Sequence, residues 1–589
     1  MEEKSRINDI FLLLAITVAG TLLRCYNLAL IGFWGDEIQA TTFAEKPFRE
    51  IFRLITQTEV SPPLDYFILH IAHLLGASSE FTYRIPALIF GAVAIIGIYF
   101  LGKELFGKKE GFISSILLSL APLHILYSRD ARMYSLFALL SILSSLFVLR
   151  ALKTGKIFYW GCYSAVTVVS FYTHYFTLFI VISHIAYVIT LSGLEKKLSH
   201  IRQLAISLAV SGILYLPWLR FLITQAPHRQ EMIIPLTFAE ILSNDFSTTF
   251  LWLGGGNITA ATFIPVFFIC GLFAFKREKN SVIFAIINSL LLVPLISFFI
   301  FKTRWVFQIR YVIFLLPPFL ILCSRGMTFL SGMRVFNSQK MKISAVLNTF
   351  IAILILALWY PTMHDAIFLQ KENWRDAASS VKKIYKPGDL LISVPYWGLW
   401  CLEKYGAMAE DGKITTPILG EHSLVFIRPY GDHPGKMWED MCDGEMEIVS
   451  TFPGWNPINI WKGKLKYSFY AVKPSIKISG TSVDREKILL NNAGMIFISG
   501  REKTSDYRIT PQLMARFFDA NGKETGSSKE LNAKALLTGD FTYWGWIRDF
   551  VDIPEGATTM ELSFSMAGND PADGYTEFKD LQVFLSAPR

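Results

Sequence analysis

Apolar stretches fill the first 361 residues of this chain and constrain its fold more than any other feature. They fall at 10–30, 84–101, 112–127, 133–150, 158–173, 175–192, 204–223, 258–275, 281–301, 311–323 and 344–361. A hydrocarbon layer about 30 Å thick is crossed by a helix of roughly 20 apolar residues. Only 18% of the residues are charged, against about 25% in soluble domains. The expectation is a polytopic α-helical membrane protein with about eleven transmembrane helices in a membrane domain 1–361. The first stretch is too long for a signal-peptide core and lacks a small-residue cleavage site, so it reads as a retained helix.

Basic residues set the orientation. With Met1 inside, the inside loops carry Lys4 and Arg6, Lys103, Lys108 and Lys109, Arg150, Lys153 and Lys156, Lys196, Lys197 and Arg202, Lys276, Arg277 and Lys279, and Arg325, Arg334, Lys340 and Lys342. Cytoplasmic loops carry this bias. The register holds only for an odd helix number, which puts the C-terminal region outside a cytoplasmic (plasma) membrane crossed many times, with the N-terminus inside. Nothing in the pattern points to nucleic acid as a partner. Of the six cysteines, Cys401 and Cys442 fall in the external part, where an oxidising compartment permits pairing.

The first external loop, 31–83, is structured. In Lys46–Gln57, Phe48, Ile51, Phe52 and Ile55 recur at helical spacing opposite Arg49, Glu50 and Arg53, the pattern of an interfacial amphipathic helix. Leu64–Leu75 is apolar but reaches only about 18 Å, too short to span.

Four external pieces put charge at the membrane boundary, where charge is a functional hypothesis by default. They are Asp36-Glu37 after Phe33-Trp34; Glu59 in Glu-Val-Ser-Pro-Pro-Leu; Arg129, Asp130, Arg132 and Tyr134 in Tyr127–Tyr134; and Lys302, Arg304 and Arg310 in Lys302–Tyr311. Carboxylates accept a proton from an attacking hydroxyl. Guanidiniums match phosphate oxygens with paired planar donors. Lipid-phosphate chemistry needs both at one interface. Snorkelling and structural pairing are the competing readings of each arginine. His174, at another external hairpin, reads more readily as a packed, hydrogen-bonded helix-end residue than as a catalyst. Asn257-Ile-Thr259 is a formal glycosylation sequon. No metal-ligand spacing is present, and no cofactor is implied beyond a divalent ion that the external carboxylates leave open.

After Pro361 the composition turns polar. A helix at Trp374–Tyr385, the turn Pro387-Gly388-Asp389, the strand Leu390–Val394 and another at Ile458–Trp461 predict a small extracytoplasmic α/β domain over 371–470. From about Pro474 the pattern has period two, clearest in Met560–Met566, with turns at Asp519–Gly522 and Pro554–Gly556. That predicts an extracytoplasmic β-sandwich of the jelly-roll kind over 474–589. Tyr543, Trp544 and Trp546 are core aromatics or a sugar-stacking platform.

Trp34-Gly-Asp-Glu37, Ser61-Pro-Pro-Leu64, Arg84-Ile-Pro86 before Phe90-Gly91, Tyr127–Tyr134, Thr173-His-Tyr175, and Arg310-Tyr311 with Pro317 follow in order. Together they resemble the GT-C membrane glycosyltransferases, and within them the prokaryotic group related to protein O-mannosyltransferases and lipid A aminoarabinose transferase. The resemblance implies an inverting transfer of a sugar from a polyprenyl-phosphate (or polyprenyl-diphosphate) donor to a glycan, lipid or protein hydroxyl outside the membrane. It implies a catalytic role for Asp36, with Glu37 beside it and Asp130 as the acidic residue of the second loop, and a phosphate contact for Arg310. Glu59, Arg129, Arg132, Tyr134, His174, Lys302 and Arg304 join as substrate-binding candidates. Two departures bear on substrate identity: Ser61 stands where the family often has His, and Asp65-Tyr66 where it often has Tyr-Tyr. Lys371-Glu-Asn-Trp374 resembles the small soluble domain of some relatives, and the terminal β region resembles carbohydrate-binding modules in pattern. The alternatives are a lipid-linked sugar flippase, whose binding groups would sit near the bilayer midplane, and a membrane-anchored carbohydrate-binding protein.

Overall fold

The computed structural model describes residues 2–57, 61–225, 237–303, 308–331, 342–386, 390–393, 398–407, 423–429, 442, 445–453, 456–464, 469–472, 476–479, 484–490, 495–504, 510–525, 529–531, 545–567 and 575–586. The chain falls into two compact units. The first comprises Met1–Ile31, Gln39–Phe48 and Val60–Leu369; the second comprises Gly32–Ile38, Arg49–Glu59 and Gln370–Arg589.

The helices are α1 (Glu2–Cys25), α2 (Gly35–Ala44), α3 (Phe48–Gln57), α4 (Leu64–Leu74), α5 (Glu80–Leu105), α6 (Lys108–Leu120), α7 (Pro122–Ser128), α8 (Tyr134–Thr154), α9 (Ile157–Thr173) and α10 (Thr177–Glu195). They continue with α11 (Leu198–Gln225), α12 (Phe238–Gly254), α13 (Ile258–Leu272), α14 (Lys279–Ile287), α15 (Val293–Thr303), α16 (Leu316–Ser331), α17 (Lys342–Phe368), α18 (Trp374–Ile384) and α19 (Gly398–Lys404). Among the described residues, eight helical segments are long and apolar enough to cross a membrane, or nine if the bent pair α6 and α7 is one span. Two of the expected spans take other forms. The stretch 158–173 becomes α9, 17 residues long. The stretch 281–301 is broken into α14, a 3-10 turn at Leu290–Leu292, and α15. Outward apolar side chains such as Phe11, Leu22, Ile213 and Phe263 suit lipid contact, and the chain is a multi-pass membrane protein.

Polar contacts sort the loop ends of the first unit into two groups. Lys108 Nζ meets Asp9 at 2.6 Å, Lys153 Nζ meets Glu104 at 2.8 Å, and Arg325 bridges Glu278 at 2.7 Å and Glu110 at 3.2 Å. At the other end, Arg84 donates to the carbonyl of Ile31 (2.8 Å), and Arg129 donates to those of Arg24 and Tyr26 (both 2.6 Å) and Ile367 (3.0 Å). The first set joins loops that the basic-residue pattern places together. The second joins the ends of α1, α5, α7 and α17.

The bend between α6 and α7 is 61° and falls at Pro122. Proline has no N–H to give the Leu118 carbonyl four residues back. Arg24, fully buried, supplies the missing donors to Leu118 (3.1 Å) and Ser119 (2.8 Å), and also reaches Gly20 (2.7 Å) and His124 Nδ1 (2.8 Å). A second close fit is Gly254-Gly-Gly256, where Gly255 has φ +131° and a Cβ there would collide with the Trp359 indole. The sequon residue Asn257 caps α13 through Ala260 N–H (2.8 Å), and its amide donates to the Leu358 carbonyl (2.9 Å) and Thr362 Oγ1 (3.0 Å). Its side chain serves structure rather than standing ready for modification.

In the second unit, β1 (Leu390–Ser393), β2 (Ser423–Pro429), β3 (Glu447–Phe452) and β4 (Ile458–Lys464) form a sheet in the order β1-β2-β4-β3. β1 and β2 are parallel, with Leu390 opposite Leu424, and β4 is antiparallel to both its neighbours. Helix α18 buries Trp374, Ala377, Ala378 and Val381, one stripe at helical spacing. The remaining strands are β5 (Phe469–Val472), β6 (Ile476–Ser479), β7 (Asp484–Leu489), β8 (Met495–Thr504), β9 (Thr510–Phe518), β10 (Lys529–Leu531), β11 (Gly545–Asp552), β12 (Thr559–Ala567) and β13 (Tyr575–Ser586). They form two antiparallel sheets, β10-β9-β12-β7 and β11-β8-β13-β5, with β6 also on β13. The predicted turn at Asp519–Gly522 is present: Asp519 Oδ1 accepts from Asn521 and Lys523 N–H, both at 2.9 Å, and Gly522 has φ +76°. Trp546 lies on β11, whereas Tyr543 and Trp544 fall outside the described residues. Cys401 and Cys442 are buried free thiols rather than a disulfide.

Candidate active site

The acidic pair opens α2, and its two members differ in exposure. Glu37 is fully buried and its Oε2 accepts the Trp34 N–H at 3.4 Å. That is the reciprocal arm of a capping box, in which the third helical residue reaches back to the helix start. Asp36 is only partly buried, one position earlier in the same first turn. Helix-end N–H groups favour negative charge there. Of the pair, Asp36 is the more accessible carboxylate, and Glu37 shapes the turn that carries it.

In the first unit, the loop before α8 supplies the second set of groups. Arg132, 6% exposed, lies 3.7 Å from Asp65 Oδ2 and over the Tyr66 ring at 5.6 Å. Tyr134, at the start of α8, carries Arg310 over its ring at 5.7 Å, and Arg310 also lies 5.6 Å from the Tyr311 ring. His174 stacks on Phe137 (4.6 Å) and lies 5.4 Å from Tyr311 and 6.2 Å from Tyr134. Burial first, and then the charges of Arg132 and Arg310, hold the His174 imidazole down at about 3. It is therefore neutral at ordinary pH, and its Nδ1 accepts the Phe176 N–H at 3.1 Å. Arginine, tyrosine and imidazole groups from three distant loops thus share one locality. This is a basic, aromatic-walled surface of the kind that holds an anion.

The other candidates are placed as follows. Arg129 spends guanidinium donors on the three carbonyls named above, so it locks helix ends. Asp130 is buried, 4% exposed, between the two arginines of its loop. Lys302 is exposed at the end of α15, within 5.7 Å of the Phe298 and Phe301 rings. Glu59 and Arg304 lie outside the described residues. Among the described residues, no three His, Cys, Asp or Glu side chains group to hold a metal.

Asp65 was legible only as a departure from the family pattern. With Tyr83, Pro86, Arg132 and Met133 it lines a small pocket. Burial lifts its carboxyl to about 6, against the lowering pull of Arg132. A carboxyl raised in this way keeps, in the fold, a proton that the unfolded chain releases near pH 3.8. Its contribution to stability is full below about pH 4 and is lost as pH climbs through 6. Asp65→Asn removes that slope. Melting of the detergent-solubilised protein from pH 4 to 7.5 should show wild-type stability falling relative to the variant, and parallel curves would refute the assignment.

Helix α3 also refines the sequence picture. Ile51, Leu54 and Ile55 are fully buried, while Phe48 and Phe52 are 57% and 37% exposed. The apolar face is therefore split between packing and an outward pair suited to headgroups.

Comparison with known proteins places the chain. Residues 60–221 match the family model for dolichyl-phosphate-mannose-protein mannosyltransferase. A Bacillus subtilis (strain 168) protein, YkcB, whose name proposes a mannosyltransferase, is 26% identical over 231 residues, covering 37% of this chain and 31% of that protein. The match thus spans about a third of the relative's length. The apo crystal structure of ArnT from Cupriavidus metallidurans superimposes with a TM-score of 0.51 at 12% identity, covering 78% of this chain and 98% of ArnT.

Proposed function

We propose that this chain is a membrane glycosyltransferase of the GT-C kind, and that it moves a sugar from a polyprenyl-phosphate carrier to a hydroxyl acceptor on the extracytoplasmic side of the membrane. The observation that carries this reading is the gathering of Arg132, Arg310, Tyr134 and neutral His174 from separate loops of one helical unit. Arg132 and Arg310 hold the lipid phosphate and stabilise the charge it gains on leaving. Asp36 takes the proton of the acceptor hydroxyl as its oxygen bonds the anomeric carbon. The bond from that carbon to the phosphate oxygen breaks on the opposite face, so configuration inverts. Glu37 holds the turn that carries Asp36, Arg129 keeps its own loop's shape, and Asp130 and Lys302 join as further candidate substrate contacts.

In this reading the chain crosses the membrane eleven times, counting α9 and the broken α14–α15 pair as spans. The end holding Asp9, Lys108 and Arg325 is cytoplasmic, and the end holding Arg132 and His174 is extracytoplasmic. Residues 371–470 form a small α/β domain and 474–589 a β-sandwich that holds a glycan near the reaction.

The test is a deletion of the gene in its native cell, with mass spectrometry of envelope glycans, lipids and proteins. One sugar linkage should disappear, and the lipid-linked donor should accumulate. Loss of donor flipping with transfer intact would overturn the enzyme reading.

A further inference from the structure

The Trp34–Glu37 turn is built from both ends of the chain. Three backbone N–H groups in Gly32–Gly35 are taken by side chains from far downstream. Gly32 N–H donates to Gln370 Oε1 (3.2 Å), Phe33 N–H to Tyr405 Oη (2.7 Å), and Gly35 N–H to Glu372 Oε2 (3.0 Å). The last matters most, because Gly35 opens α2, where first-turn N–H groups lack intrahelical acceptors. Most helices meet that need with a neighbouring side chain. Here a carboxylate 337 residues away supplies one acceptor.

Glu372 is itself fixed. It is 1% exposed, and the same Oε2 accepts Trp374 Nε1–H at 2.7 Å. Trp374 is fully buried, with its ring edge 2.7 Å from where a Gly398 Cβ would stand, so only glycine admits it. Lys371 Nζ lies over the Trp34 ring at 4.4 Å. Asn373 turns the chain into α18 by accepting from the Asp376 N–H (3.2 Å). Glu372 and Asp36 both act on buried Cys401, whose thiol is pushed well up by burial and then by these two charges. Asp36 thus lies within electrostatic range of this same assembly.

We propose that Glu372 and Tyr405 are positioning residues for Asp36: they lock the backbone on either side of Trp34 so that α2 presents its first-turn carboxylate in one orientation. This rests on the reading of Asp36 as the base. Two acceptors grip two amides, at Phe33 and Gly35, and leave the turn little freedom to rotate about its own axis. Misplacement of a reacting group by about 1 Å is enough to lower turnover on the order of 100-fold. The Lys371–Trp374 segment and Tyr405 therefore complete the catalytic loop rather than decorate it.

The test uses the full-length chain and four variants, Tyr405→Phe, Glu372→Ala, Glu372→Gln and Asp36→Asn, expressed in cells lacking the gene. Two readouts are needed: the amount of the glycan product that disappears on deletion, at matched membrane abundance, and hydrogen exchange of residues 32–38 in purified protein. Tyr405→Phe and Glu372→Ala should raise exchange there at least tenfold and cut product at least tenfold. Glu372→Gln keeps an acceptor oxygen and should fall between. With the donor sugar identified from that product, kcat should fall while KM for the donor stays within threefold, which a general unfolding would not produce. Unchanged exchange, or raised exchange with unchanged transfer, overturns the positioning role. If Asp36→Asn keeps full activity, the reading of Asp36 fails instead. If Asp36→Asn is inactive while Tyr405→Phe and Glu372→Ala are not, only the positioning role fails.

Discussion

Asp36→Asn should sharply lower the proposed sugar transfer without removing the protein from the membrane. The amide keeps the size and half-buried seat of the side chain but cannot take a proton from an incoming hydroxyl. A positioned general base contributes on the order of 100- to 10,000-fold, and a loss in that range is the expected result. Glu37→Gln should behave differently. Glu37 is buried and accepts the Trp34 N–H, and an amide oxygen can still accept. Turnover should fall less, and thermal stability should drop slightly. Steady-state transfer in reconstituted membranes, normalised to folded protein, measures both. Full turnover by Asp36→Asn, or a larger loss in Glu37→Gln than in Asp36→Asn, would reverse the roles of the two residues.

The second large effect concerns stability. Arg24→Leu removes the guanidinium donors to Leu118 and Ser119 at the Pro122 break, together with the contacts to Gly20 and His124. The buried carbonyls of Leu118 and Ser119 then lose these donors, at about 1–3 kcal/mol each. Breaking a buried charged network by removing one member costs about 3–5 kcal/mol. The variant should melt far below wild type in detergent and accumulate poorly in membranes. Arg24→Lys should recover only part of the loss, because one ammonium cannot reproduce a planar fork that serves several acceptors. A wild-type melting curve for Arg24→Leu would show that the bend is held by something else.

The membrane segments and the acidic turn were legible because both are local. Apolar run length marks a span, and Trp-Gly-Asp-Glu is contiguous. Strand β12 was legible for the same reason: Met560 and Leu562 alternate with polar neighbours and are buried. What escaped the sequence depends on partners far along the chain. Arg129 reads as a phosphate ligand until three helix ends converge on it. Glu372 sits in a segment that stood out by resemblance, but its partner at Gly35 cannot be inferred from spacing. The stretch 112–127 reads as one span although Pro122 signals a break, and the donor that makes the break tolerable lies on α1. His174 was open between ligand and packing, and its ring lies against Phe137, Tyr134 and Tyr311, partners that spacing along the chain does not reveal.

The Arg24 contact also bears on how the protein is made. Helix α1 carries a guanidinium whose acceptors at 118–124 are synthesised about 95 residues later. Until then the guanidinium, in the last turn of α1, has the headgroup layer to reach for, as arginines near helix ends do, and it exchanges that setting for protein carbonyls once α6 and α7 arrive. The final seat of α1 is thereby tied to α6 and α7, which bring those acceptors.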